Sequence, residues 1–151
     1  MAMKRMYTLV KAIEENKYID LGEVEMLEDS TLDTFCVKVT PYEGLHRDKP
    51  YCITICFQRE GWPKVLIDSP TFDQIKTKQY IKNRGRVGDH KGICIKHLGH
   101  GYLFHKYFPL LCDGKWENYL YYLITMFNNI QDFEHGIGVK SDYKEILGIP
   151  V

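Results

Sequence analysis

The stretch DHKGICIKHLGHGYLFHKYFPLLCDGKW, residues 89–116, holds Cys94 and Cys112 together with His90, His97, His100 and His105. Cysteine and histidine at this density can bind a metal, build a nucleophile with its helpers, or fill a core. As zinc ligands, His90, Cys94, His97 and His100 would read H-x3-C-x2-H-x2-H. Structural zinc sites usually combine close pairs separated by a loop, whereas these four crowd into eleven residues with no distant second pair. The strand-like local sequence would also turn neighbours to opposite faces. Zinc over the 90–105 cluster is therefore the weakest reading, and no metal or cofactor is expected. A nucleophilic thiol needs positive charge or a histidine nearby to favour the thiolate. Lys91, Lys96, His90 and His97 supply that around Cys94. The opposing reading makes Cys94 a small buried apolar residue between Ile93 and Ile95, as free cysteines often are. Cys112 is the competing nucleophile, but Asp113 beside it would raise its pKa.

The elements that must position these residues can be read from hydrophobic periodicity. Met6, Leu9, Val10 and Ile13 form a helical stripe, which predicts a helix over 3–16. Alternation around Ile19, Leu21 and Val24, and then around Phe35, Val37 and Val39, predicts two strands. YCITICF and PKVLID are β-branched runs that predict two more. The connections are short, so neighbours pair antiparallel as a four-stranded meander. Cys36, Cys52 and Cys56 fall within these strands and are expected in the core, with Cys52, Thr54 and Cys56 sharing one face. From Ser69 to Gly92 the pattern is lost, and a long irregular segment in a small domain is more often functional than accidental. WENYLYYLITMFNNIQDF then predicts a long helix burying Tyr119, Leu120, Leu123, Met126, Phe127 and Ile130. SDYKEILG predicts a short final helix with Ser141 as N-cap and Gly148 beyond its end. Strands followed by helices make the fold class α+β, in one domain over 1–151.

Lys plus Arg and Asp plus Glu both number 20, so no global field gathers nucleic acid or an anionic membrane. The basic run Lys76, Lys78, Lys82, Arg84 and Arg86 reads first as a solvated loop, or else as a contact for an acidic partner. Five cysteines without CxxC pairs fit reduced thiols, and the amino-terminal residues lack the apolar stretch of a signal peptide. With no window apolar enough to span a membrane, the cytoplasm is the expected compartment.

The order of helix, four-strand meander, long extended segment, GICI, Trp and long apolar helix resembles the ubiquitin-conjugating (UBC) fold. Gly61, Trp62, Pro63, Lys64 and Val65 are similar to that family's Pro-rich corner between its third and fourth strands. Gly92, Ile93, Cys94 and Ile95 are similar to its Gly-x-Ile-Cys-Leu active-site motif, with one residue fewer. The resemblance implies an enzyme that accepts a ubiquitin-like protein as a thioester on Cys94 from an activating-enzyme-like protein and transfers it to an amine of a protein target. The family's His-Pro-Asn is replaced by Asp89, His90 and Lys91, and Asn83 is the nearest upstream Asn. His90 is the first candidate for the oxyanion-side role; the bland alternative is a solvated loop histidine. His97, His100 and His105 have no counterpart in the family. A His just before G-x-C looks more like divergent bacterial members, which are encoded beside ubiquitin-like and activating partners, often in antiphage operons. The missing motif keeps open a second reading, an inactive UBC-like binding module.

Overall fold

The computed structural model describes residues 2–28, 30, 33–44, 47–57, 64–68, 93–94, 112–129 and 140–148. Among them the order is α1 (Ala2–Glu14), β1 (Gly22–Met26), β2 (Thr34–Pro41), β3 (Tyr51–Cys56), β4 (Lys64–Asp68), β5 (Ile93–Cys94), α2 (Trp116–Asn129) and α3 (Lys140–Leu147). The strands form one antiparallel sheet in sequential order from β1 to β5. The α+β class expected from the sequence is therefore observed. The meander has one strand more than the periodicity announced, because Ile93–Cys94 pairs with β4.

Helix α1 ends at Glu14, where Asn16 takes a left-handed conformation (φ 57°). The Asn16 N–H donates to the Ile13 carbonyl and the Lys17 N–H to the Ala12 carbonyl, both at 3.0 Å. These are the two bonds of a Schellman cap, which satisfies carbonyls that the helix itself cannot. The chain then turns through residues 15–21. Ile19 and Leu21, expected in a strand, lie in these turns, and Ile19 is exposed while Tyr18 is buried. At the other end, α3 begins at Lys140, one residue ahead of Ser141, which therefore sits in the first turn and not at the cap. Gly148 does end it, at φ 72°, with its N–H donating to the Lys144 carbonyl at 3.0 Å.

The register divides the sheet into two faces. Phe35, Val37 and Val39 on β2 pair with Ile55, Ile53 and Tyr51 on β3, all buried, and Val65 on β4 continues that layer. Helix α2 packs here through Tyr119, Leu120, Leu123, Ile124, Met126 and Phe127. The Tyr51 and Phe127 rings lie 4.6 Å apart. Burying side chains of this size contributes about 1.5–3 kcal/mol each. Ile130, assigned to the same stripe, lies outside the described residues. Asn128 at the end of α2 is buried, and its side-chain oxygen accepts the Tyr51 hydroxyl, joining α2 to β3. On α1, the Arg5 guanidinium lies 5.0 Å from the Trp116 ring centre and 5.6 Å from that of Phe57. Its Nη1 is buried with no hydrogen-bond partner among the described residues, and ring faces hold this charge at α1's junction with α2. No described helix is long and apolar enough to cross a membrane.

Candidate active site

Cys94 is the second residue of β5. Leu66 is its register partner, as Ile67 is that of Ile93. Following the pairing inward, Leu66 stands opposite Thr54, and Thr54 opposite Cys36, so Cys94 closes a cross-strand row running Cys36, Thr54, Leu66, Cys94. Cys36 and Thr54 are linked by the Thr54 hydroxyl reaching the Cys36 sulfur at 3.8 Å. The row alternates with a second one, Val37, Ile53, Ile67 and Ile93, in which Val37 and Ile53 are buried beneath the helices. The position of Cys94 therefore lies outside the apolar layer beneath α2, and at the end of the sheet farthest from β1.

Two of the other cysteines are withdrawn from chemistry. Cys112 is fully buried in the turn that leads into α2. Its carbonyl accepts the Lys115 N–H at 2.9 Å and the Asn118 side-chain amide at 3.2 Å. Burial pushes its thiol up to about 12, leaving negligible thiolate near neutrality. The sequence expects Asp113 to raise this thiol; the cause is instead burial, and Asp113 itself is exposed. Cys36 is 8% exposed, and Ser30 brackets its backbone: Ser30 Oγ accepts the Cys36 N–H at 2.8 Å and donates to its carbonyl at 3.1 Å.

Cys52 and Cys56 share a face with Thr54 as expected, but that face is not the helix-covered core. Both are half-buried, while Tyr51, Ile53 and Ile55, alternating with them along β3, take the core positions. Even spacing establishes that residues share a face; bulk decides which face is buried, and Tyr and Ile remove more apolar surface from water than Cys.

His90, Lys91, Lys96, His97, His100 and His105 lie outside the described residues, as do Asn83, the basic run 76–86 and Gly61, Trp62 and Pro63. Among the described residues no group of three or more His, Cys, Asp or Glu side chains is arranged to hold a metal ion.

The sequence reading missed the opposite edge of the sheet. There a groove of about 230 Å³ opens between the end of α1 and β1, lined by Ile13, Ile19, Val24 and Tyr42 with Glu23 at its side. Its signal was present: apolar Ile19 stands within an acidic run, Glu14 to Glu28, in which Lys17 is the one base. Comparison of the chain with protein-family models, with curated proteins and with solved structures finds no match.

Proposed function

We propose that the chain is a UBC-like conjugating enzyme that carries a ubiquitin-like protein as a thioester on Cys94. The observation that carries this reading is the place of Cys94: on the last strand of an antiparallel meander, off the helix-covered layer, and ahead of a long apolar helix. The burial of Cys36 and Cys112 supports the same choice of sulfur. In the first step the Cys94 thiolate attacks the carbonyl carbon of the activating enzyme's thioester. The new C–S bond forms, the old one breaks, and the departing thiolate takes up the proton that Cys94 gave away. In the second step a target amine attacks the same carbon, the C–N bond forms, and the amine's proton passes to the Cys94 sulfur as it leaves. Each attack places negative charge on the carbonyl oxygen, which a positioned donor stabilises. With His-Pro-Asn replaced by Asp89, His90 and Lys91, the His90 imidazole is assigned that role. Its bacterial, antiphage setting belongs to the same proposal.

The test mixes the protein with a cognate activating-enzyme-like protein, ATP and a ubiquitin-like protein. A thiol-reversible adduct is expected that Cys94→Ala abolishes and Cys94→Ser converts to a thiol-resistant ester. A reducible adduct that survives in Cys94→Ala refutes the assignment. The departure from His-Pro-Asn favours one second reading, an inactive module that uses the same edge only to hold a partner. In that case Cys94 reacts with a thiol probe no faster than a free cysteine, and rapid labelling at neutral pH excludes it.

A further inference from the structure

We infer that the outer edge of β1 is a docking site for a basic, extended peptide segment of another protein, which adds to the sheet as a further strand. This rests on the β1 edge alone and is independent of any chemistry at Cys94.

The backbone of β1 fixes which groups are on offer. Along an antiparallel strand, the N–H and C=O of successive residues point alternately toward and away from the neighbouring strand. The Leu27 N–H donates to the Cys36 carbonyl at 2.8 Å, so Leu27, Glu25 and Glu23 direct their backbone groups at β2. Pro41, opposite Gly22, has no N–H to give and agrees with that phase. The N–H and C=O of Gly22, Val24 and Met26 therefore point outward, and β1 is the first strand of the sheet order, with β2 as its described neighbour. A strand laid along this edge bonds to those groups.

Side-chain chemistry selects the occupant. On the helix-bearing face of the sheet, Val24 borders the groove at the end of α1, whose rim leaves Ile19 63% and Tyr42 47% exposed; Met26, one position along the edge, is 42% exposed. These are large apolar groups beside backbone groups that no other described residue takes up, and an alternate side chain of an added strand is placed to cover them. On the other face, β1 presents Glu23 and Glu25, both exposed; further exposed carboxylates stand at the end of α1 (Glu14, Glu15), in the turn before β1 (Asp20, which accepts the Tyr121 hydroxyl at 2.7 Å) and after β1 and β2 (Glu28, Glu43). The bases among them, Lys17 and Lys38, reach Glu15 and Glu25 at 3.9 and 3.6 Å, pairs with exposed side chains that satisfy little of this charge. The complementary strand alternates Lys or Arg, set against Glu23 and Glu25, with apolar residues set against Val24 and the groove. A second copy of this chain is a poor occupant: antiparallel pairing of two β1 strands about Val24 brings Glu23 against Glu25 twice, a like-charge pairing of the sort that protects natural edges.

The experiment measures binding of a fluorescent KVKIKVK peptide to the full chain by anisotropy. A block-ordered peptide of the same composition and an alternating peptide with alternate backbone amides N-methylated are the comparisons. The alternating peptide is expected to bind about ten-fold more tightly than either comparison, with affinity falling as salt rises. Glu23→Lys with Glu25→Lys is expected to weaken it about ten-fold. Val24→Pro removes an outward N–H, which an edge strand tolerates, together with a side chain packed against the core, and is expected to abolish binding. The N-methylated peptide asks the same question without touching the protein, should Val24→Pro disturb the fold. Equal binding of all three peptides would mean charge attraction without strand addition and overturns the inference. So does absence of binding, and so does a dimer of the chain alone that Val24→Pro disperses.

Discussion

Tyr51→Phe removes one oxygen atom and with it a bond that joins α2 to the sheet. Tyr51 is 1% exposed, Asn128 6%, and the Tyr51 hydroxyl donates to the Asn128 side-chain oxygen. The ring is kept, so its packing 4.6 Å from Phe127 survives. What is lost is the partner of a buried amide oxygen, and stranding such a group costs about 1–3 kcal/mol. For a chain of this length each kcal/mol lowers the melting temperature by about 2–4 °C, so the fall expected is about 2–12 °C. The cost should also depend on pH in a defined sense. Burial raises the Tyr51 phenol well above its ordinary value of 10.0. A group whose folded pKa is raised keeps its full contribution below its unfolded pKa and loses it above. The unfolded wild type gains from ionising Tyr51 above about pH 10 while the folded state does not, and the phenylalanine variant has no such loss. The stability difference between wild type and Tyr51→Phe therefore narrows by about 1.4 kcal/mol per pH unit above pH 10. Urea denaturation followed by circular dichroism, repeated at several pH values, measures both effects. With Asn128→Leu as the second arm of a double-mutant cycle, the double variant should cost less than the sum of the singles by about 1 kcal/mol or more. Additive costs, or a Tyr51→Phe protein as stable as wild type at pH 7, would refute the assignment of this bond as a joint of the fold.

The carbonyl of the same Asn128 limits Gly44, which sits at φ 91° where a Cβ would lie 2.5 Å from that oxygen. Gly44→Ala is expected to cost about 1–3 kcal/mol in urea denaturation through backbone strain, and a change below about 0.5 kcal/mol would sink the point. Cys112, with its thiol pushed up to about 12 by burial, should resist thiol probes in the native state at pH 8 and react only at the rate of unfolding. Its raised pKa stabilises the fold below about pH 9 and that contribution is lost as pH climbs toward 12, so Cys112→Ala should flatten the stability profile across this window. Native-state labelling of Cys112 as fast as a free thiol would contradict both statements.

The α+β order was legible because Val37, Val39, Ile53 and Ile55 alternate cleanly and Tyr119 to Phe127 repeat at helical spacing. Signals of that kind are local. What they missed depended on something non-local or on one backbone angle. Ile19 fits an alternating pattern, but Asn16 in the left-handed region ends α1 with a cap and sends the next residues through turns. Cys52 and Cys56 share a face as their spacing required, yet spacing is silent on which face the helices cover, and the bulkier Tyr51, Ile53 and Ile55 took it. The pairing of Cys94 with Leu66 joins residues far apart in sequence, and no motif around either one announces the other. Cys94 was singled out from its basic neighbours and the element order; its row with Thr54 and Cys36 emerges only from the register. The β1 edge went unread because an acidic run beside a few apolar residues looks, in one dimension, like any solvated surface.

Placing the two candidate sites on one sheet has a mechanical consequence. With strands in sequential order and a spacing of about 4.8 Å, β1 and β5 lie about 19 Å apart across the sheet. A peptide strand added to β1 makes the sheet wider on the side away from Cys94, so it neither covers that edge nor competes for it. The charges follow the same division: Glu14 to Glu28 belong to the β1 side, whereas Lys91 and Lys96 flank Cys94 in sequence. A neutral total leaves room for local charge, and neutrality excludes only partners that read the whole molecule. The exposed carboxylates of Glu23 and Glu25 are what draw a basic segment to β1. The binding proposed at one edge and the thiol chemistry proposed at the other are therefore separable, and the failure of either test leaves the other standing.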